Sequence, residues 1–500
     1  MSPALDGRNI LAFRLTRVTS VEFGAVISAM RGRDYWGKGR VFGVTWKSCL
    51  ANQNGAGMDI RDGWSGMRKK MGEKKSNDFA LTPASVDSSV DQRTGGTFGA
   101  YANIVCVVAG TGTLGLPYAM NQGGWVTAIM FLVVATICTF TSKLLIECLY
   151  YKEGERLEEF SDIGRAAFGP LGGYFVKVFQ YCITLSAPCI YILLSGLNTH
   201  QMVMQFTGHD AVGQRIWILI SGLVVAVPVC SMKTLREATI LAVFGAFATV
   251  VVVLCVVIQG GIQYGSVDYE APVTAAVKWE GLPLALATLS FSYGGHVVYP
   301  HVEATMRNPQ QWNRAMLFAV ITITAMYLAV AVPGYLYYGE TVQSPILDSL
   351  PPGAGSITSY ILITIHVLLA APIYLCSFCL EQERLLKVDT QFMSSRHELG
   401  LRILLRGSIT GVLTLIAIFV PFFSDLMGLV GAIASSIIVF LVPTICHYKL
   451  YGFRNRPMWH HPVTLAVVVM GLMGLVLGAI SALETLIDHI KNGITVSAHH

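Results

Sequence analysis

Eleven runs of about twenty mostly apolar residues constrain this chain more than any other feature. They cover roughly 98–120, 124–149, 173–199, 214–231, 238–261, 281–302, 314–337, 357–380, 403–422, 424–446 and 462–485. A helix rising 1.5 Å per residue needs about twenty residues to cross the ~30 Å hydrocarbon layer of a bilayer. Inside that layer every backbone N–H and C=O must be satisfied internally, so a spanning segment is a helix or part of a closed barrel. Runs of this length are helical in type. Charged residues make up 13% of the 500 residues, about half the ~25% typical of soluble domains. The expected fold class is an all-α integral membrane protein with eleven transmembrane helices in a lipid bilayer.

The formal charge of +5 is not a nucleic-acid signal: fifteen of the 35 Lys and Arg precede residue 95, and most others flank the apolar runs. Residues 1–95 are rich in Gly, Ser, Asn, Lys and Arg, with basic clusters at Arg68–Lys70 and Lys74–Lys75. They read as a largely disordered cytosolic tail, with a plug or regulatory segment and attraction to anionic lipid as further readings. Met1–Asp6 lacks the charged and apolar regions of a signal peptide. Residues 96–486 form the membrane domain and 487–500 a short luminal or external tail. Counted loop by loop, one face of the membrane receives fifteen Lys and Arg and the other receives three (Arg215, Lys278, Lys491). The positive-inside rule then puts the N-terminus in the cytosol. The eleven cysteines are scattered, nearly all within apolar segments, and Cys376-x-x-Cys379 reads as helix packing rather than a metal or redox pair. No Asn-x-Ser/Thr acceptor occurs.

Two apolar runs are interrupted. Gly110-Thr111-Gly112-Thr113-Leu114-Gly115-Leu116-Pro117 lies within the first, and Tyr293-Gly294-Gly295-His296 within the sixth. Glycine costs about 1 kcal/mol and proline about 3 kcal/mol against alanine in a helix interior. Broken helices at membrane depth are tolerated only inside protein or beside a water-filled cavity. Segments one to five and six to ten overlay as two halves; five is odd, so the second half is inverted. Breaks at matching positions of two inverted halves mark a midplane site. The spacing Gly110-x-Gly112-x-x-Gly115 also fits a dinucleotide fingerprint, but no strand precedes it.

At these breaks the residues resemble a known family. Gly110 to Met120 with Gly123-Gly124-Trp125 is similar to the first-helix signature of the amino acid/auxin permease family. Ser290-Phe291-Ser292-Tyr293-Gly294-Gly295-His296, with Pro300, Glu303, Met306 and Asn308-Pro309, resembles its sixth-helix region. Val420-Pro421-Phe422-Phe423-Ser424-Asp425-Leu426-Met427 with Gly428 and Gly431 looks like its ninth-to-tenth helix turn. The resemblance covers about residues 92–485 and is strongest to the vacuolar amino acid transporters and their vesicular inhibitory relatives. It implies secondary active amino acid transport on an eleven-helix, five-plus-five inverted-repeat fold, usually driven by protons, with no cofactor and no enzymatic activity. An endomembrane such as a vacuole is the implied location, ahead of the plasma membrane. Sodium coupling, a vesicular-type substrate, and an amino acid sensor signalling through the N-terminal tail are the alternatives.

An amino acid brings a carboxylate and an ammonium into a low-dielectric cavity, where both need partners. The expected substrate-binding set is Gly110, Thr111, Gly112, Thr113 and Gly115 for the carboxylate, from backbone N–H groups and two hydroxyls. Carbonyls around Ser290 to Gly294 take the ammonium, and Tyr293 supplies an aromatic wall. For both threonines and for Tyr293 the bland reading is internal bonding and packing. His296 is the first candidate for proton coupling, against a bonded structural histidine; His366 is the second. Glu303 and Glu381, at helix ends, are gate candidates or solvated ends. Lys143 and Glu147 are expected to pair with each other, and Asp425 to cap a helix. Ser377 has no second hydroxyl beside it, which favours protons over sodium. No metal cluster is expected.

Overall fold

The computed structural model describes residues 95–497 except 153, 210–211, 232–237, 266–270, 389–392 and 454–455. Nearly all of the expected cytosolic tail, and the loop residues Lys233, Arg236 and Arg454, lie outside the described residues. Among the described residues all regular elements are helical. The first apolar run becomes α1 (Thr97–Val108), a 3₁₀ turn (Thr111–Gly115) and α2 (Leu116–Gly123). Then follow α3 (Val126–Leu149), α4 (Phe160–Thr207), α5 (Gln214–Ser231) and α6 (Ala238–Tyr264). The sixth run is likewise divided into α7 (Leu282–Ser292), a 3₁₀ turn (Gly295–Val297) and α8 (Tyr299–Thr305). After it come α9 (Trp312–Tyr338), α10 (Ala354–Leu385) and α11 (Ser395–Phe419). The tenth run is α12 (Phe423–Val430), a π-helical stretch (Gly431–Leu441) and α13 (Val442–Tyr451); α14 (His460–Ser497) completes the order.

Each expected run is therefore helix. Among the described residues, nine helices are long and apolar enough to span by themselves, and α1 with the turn and α2 makes a tenth span bent by 42°. The sixth run escapes that count because its pieces are short, which is the consequence of its break. The arrangement is the inverted-repeat transporter fold, with interruptions in the first segment of each half. Helix ends run past the apolar windows. α4 begins at Phe160 because Gly169, at φ 72°, turns a short surface helix into the spanning one and Pro170 opens the latter.

Burial sorts the spans. The spanning window of the tenth segment is 78% buried and that of α14 only 22%, so the former runs through the centre and the latter lies at the periphery. Large side chains such as Val227, Phe247, Phe419 and Leu465 are mostly exposed, as expected of a surface that meets lipid tails. Inside, α4 packs along α10, and α5 and α11 pack against that pair. Arg406 of α11 is 1% exposed and is held by Glu383 of α10, with Nε–Oε1 at 2.6 Å and Nη2–Oε2 at 3.0 Å. Arg406 also donates to the Val229 carbonyl of α5 at 2.7 Å, so one buried ion pair joins three helices.

Candidate functional site

The two breaks touch. A Cβ placed on Gly112 would lie 3.0–3.2 Å from Oγ, Cα and Cβ of Ser292, so only a glycine lets the first turn approach the end of α7 this closely. Tyr327 of α9 fastens the junction. Its buried hydroxyl lies 2.7 Å from both the Val108 carbonyl, at the end of α1, and the Ser292 carbonyl, at the end of α7. One proton thus serves the two carbonyls that the breaks deprive of helical partners.

Beside the junction opens a cavity of about 630 Å³, within the ~300–1,000 Å³ range of small-molecule sites. Its walls are both breaks, one stripe of α4 (Gln180, Thr184, Ala187, Tyr191) and one stripe of α10 (His366, Ala370, Tyr374, Ser377, Glu381). The stripes follow the three- and four-residue spacing of a single helix face. The cavity extends to Glu159, Glu381 and Arg384, at the ends of α4 and α10 on the face whose loops are rich in Lys and Arg.

On the other face the site is sealed. Leu114, Phe423 and Met427 pack in a buried layer below the first turn, with Met427 3.2 Å from where a Gly115 Cβ would lie. The stretch 273–278 lies across the ends of α2 and α9. Trp125 and Val126 donate to the Ala275 and Ala276 carbonyls at 3.1 Å, and Ala275 N–H donates to the Tyr335 hydroxyl at 2.9 Å. Lys278 bonds Asn121 at 3.0 Å and pairs with Glu340 at 2.8 Å.

Of the expected substrate residues, Gly110, Thr111, Gly112 and Gly294 line the cavity. Thr111 and Gly112 open the 3₁₀ turn, where the first N–H groups have no acceptor within the helix. Thr113 and Gly115 are buried behind them, outside the lining; Thr113 Oγ1 has no hydrogen-bond partner. Ser290 points away, its hydroxyl donating to the Leu286 carbonyl at 2.7 Å. Tyr293 also lies outside the cavity, packed 5.0 Å from the Tyr327 ring, with its hydroxyl 2.9 Å from Thr324. The aromatic groups that do line it are Phe291, Tyr181, Tyr191, Tyr374 and Phe378.

The expected titrating and gating groups separate too. His296 is fully buried off the cavity, with Nε2 2.9 Å from the Thr141 hydroxyl of α3. Glu303 is fully buried as well, paired with Arg156 at 2.8 Å and bonded to the Tyr150 hydroxyl at 2.5 Å. Glu381 lines the mouth and pairs with Lys177, which also reaches Glu159 at 3.6 Å. Lys143 and Glu147 approach to only 3.9 Å, because the carboxylate turns to His447 at 2.9 Å and Arg456 at 3.1 Å. Asp425 does not cap α12. It lies inside the first turn, and its Oδ2 is 2.7 Å from His489 Nδ1 on α14.

Sequence reasoning missed Tyr191, Tyr374, Gln180 and Tyr327. A signal existed for the first two. Pro188 and Pro372 interrupt segments three and eight, which correspond between the halves, and a helix-interior proline frees the carbonyl four residues earlier. Each proline is followed within three residues by a tyrosine that faces the cavity.

The chain was compared with known proteins. The family profile described as transmembrane amino acid transporter protein matches residues 93–484. Amino acid transporter AVT1C of Arabidopsis thaliana is 27% identical over 85% of this chain and 74% of its own length. The vesicular inhibitory amino acid transporter of Homo sapiens is 25% identical over 77% of this chain and 75% of its own. Among solved structures, the inward-facing conformation of Mhp1 aligns with a TM-score of 0.50 and 14% identity, covering 82% of this chain and 94% of that one, a likeness of fold. With nearly four-fifths of its length inside one family profile, the chain belongs to the transmembrane amino acid transporter family.

Proposed function

We propose that this protein is a secondary active transporter of neutral amino acids, driven by protons, that works by alternating access in an endomembrane. The observation that carries the reading is the cavity that reaches both helix breaks from one face while the other face is sealed. The substrate carboxylate sits at the opening of the 3₁₀ turn, on the N–H groups of Thr111 and Gly112 and the positive end of the helix dipole. The ammonium sits at the carbonyl end of α7, near Phe291 and Ser292. The substrate side chain extends toward Tyr191 and Tyr374. Charged lining groups gather at the cavity mouth and leave the region around the breaks neutral, which supports a neutral side chain. The open face carries the basic loops, so this is the cytosol-facing state.

Release to the far side requires the Leu114–Phe423–Met427 layer to part and the Lys278–Glu340 and Lys278–Asn121 contacts to open. The mouth that is now open, where Lys177 already pairs with Glu381 and Glu159, closes in the same step. The test is uptake of labelled amino acids by proteoliposomes under an imposed pH or sodium gradient. Accumulation of neutral amino acids driven by the pH gradient alone is expected; accumulation that follows only sodium, or none above protein-free vesicles, overturns the reading.

A further inference from the structure

We propose that His366 of α10 is the side chain that carries the coupling proton, with Tyr191 linking it to the first break. The assignment rests on the transport reading above and deepens it. His366 is 6% exposed, lines the cavity, and has no hydrogen-bond partner for its Nε2. A buried ring nitrogen without a partner beside a cavity is a vacant proton or hydrogen-bond site. The ring cannot retreat. Its Cε1 and Nδ1 lie 2.2 and 2.3 Å from where a Cβ on Gly245 of α6 would stand, so it is pressed against that backbone.

On its other side the ring stands 6.4 Å from that of Tyr191. The Tyr191 hydroxyl lies 3.8 Å from a notional Gly110 Cβ and interacts with the hydroxyls of Thr111 and Tyr374. Tyr191 thus stands between His366 and the turn proposed to hold the carboxylate. A charge on the imidazole would be felt there with little screening, since the site is enclosed.

The competing groups face elsewhere. On α10 itself, Glu381 is fifteen residues away, about 22 Å along the helix, and Arg384 is farther. Among the described residues, from α4 come Tyr191, with Lys177 and Glu159 at the mouth; from α8 comes His301, beside that mouth; from α1 and the first turn come the Thr111 hydroxyl, the Cys106 thiol, the Asn103 amide and backbone. His296 also has a buried ring nitrogen without a partner, Nδ1, but it lies outside the cavity, with Nε2 bonded to Thr141. In the transport step the imidazole takes a proton from one aqueous side when substrate binds, crosses the alternation as imidazolium, and returns it on the other side. No other bond changes.

The test compares His366→Gln with His296→Gln and the wild-type protein in proteoliposomes. Three quantities are read: pH-driven accumulation, substrate-evoked proton movement by an entrapped pH dye, and exchange of labelled for unlabelled amino acid at symmetric pH. Exchange needs binding and alternation but no net proton flux. His366→Gln is expected to lose accumulation and proton movement at least tenfold while exchange stays within about threefold; His296→Gln keeps all three within about threefold. Proton movement retained in His366→Gln overturns the assignment. So does exchange lost along with accumulation in a correctly inserted His366→Gln, because the residue then serves binding or packing. Wild-type exchange without proton movement overturns it while leaving amino acid transport in place. Wild-type protein that exchanges no amino acid removes the transport reading, and this assignment with it.

Discussion

The two helix breaks occupy corresponding places in the two halves and are built in different ways. The first offers its backbone to the cavity: Gly110, Thr111 and Gly112 line it, and the Tyr191 hydroxyl of another helix lies 3.8 Å from a notional Gly110 Cβ. The second turns its largest polar side chains away. Tyr293 goes to α9 and His296 to α3, and Phe291, Ser292, Gly294, Gly295, Val297 and Val298 form the wall. A run of glycines makes a surface; a tyrosine and a histidine around two glycines make an anchored corner. Pseudo-symmetry of position does not imply symmetry of task.

The comparison can be broken most severely at the point of contact. Gly112→Val puts two methyls where even a Cβ is 3.0 Å from Ser292, so the turn and α7 must separate. Uptake is expected to fall at least a hundredfold with membrane insertion intact, and substantial uptake would show that the breaks need not touch. Next in size is Tyr327→Phe, which removes the shared donor; the Val108 carbonyl keeps the Gly110 N–H at 2.8 Å, and the Ser292 carbonyl loses the Tyr327 hydroxyl. Leaving a buried acceptor unsatisfied costs about 1–3 kcal/mol. Uptake should drop about tenfold with a lower melting temperature; a loss of stability alone would make Tyr327 a packing residue.

A milder pair separates wall from anchor. Tyr374→Ala enlarges the cavity and should change which amino acids compete for uptake. Tyr293→Ala removes a ring outside it, so stability should fall with the competition profile unchanged. The reverse pattern would put selectivity at the second break.

The smallest effect on uptake concerns the turn Ile346–Ser349, which packs beneath the first break. Burial pushes the Asp348 carboxyl up to about 6, against which the Tyr360 hydroxyl, donating at 2.8 Å, acts in the lowering direction. A carboxyl raised by folding stabilises the fold while protonated, and that contribution is lost as pH rises through its folded value. Asp348→Asn is therefore expected to stabilise the protein by about 3 kcal/mol at pH 7 and by well under about 1 kcal/mol at pH 4. Equal melting shifts at the two pH values would remove Asp348 as the cause.

The spans, both breaks and the inverted arrangement were legible because bilayer thickness and backbone satisfaction leave few alternatives. At the site, legibility followed the backbone. Gly110, Thr111, Gly112 and Gly294 do line the cavity, since a broken helix exposes its own main chain. Side-chain directions were not legible. Tyr293 and His296 are one helical turn apart beside glycines, and nothing in the sequence says that they point to α9 and α3. Glu147 is four residues from Lys143, yet it turns to His447 and Arg456, three hundred positions later. Such choices belong to tertiary packing.

The Arg406–Glu383 pair bears on how the chain is made. A segment carrying an arginine enters a bilayer at a cost of up to about 3 kcal/mol if that charge reaches the centre alone. Glu383 and Val229, which hold this arginine, both precede it in the chain. During synthesis the groups that hold Arg406 are therefore in the membrane before α11 arrives, and the ninth span can enter against α5 and α10 rather than into bare lipid. The order of synthesis supplies the charge partner in advance.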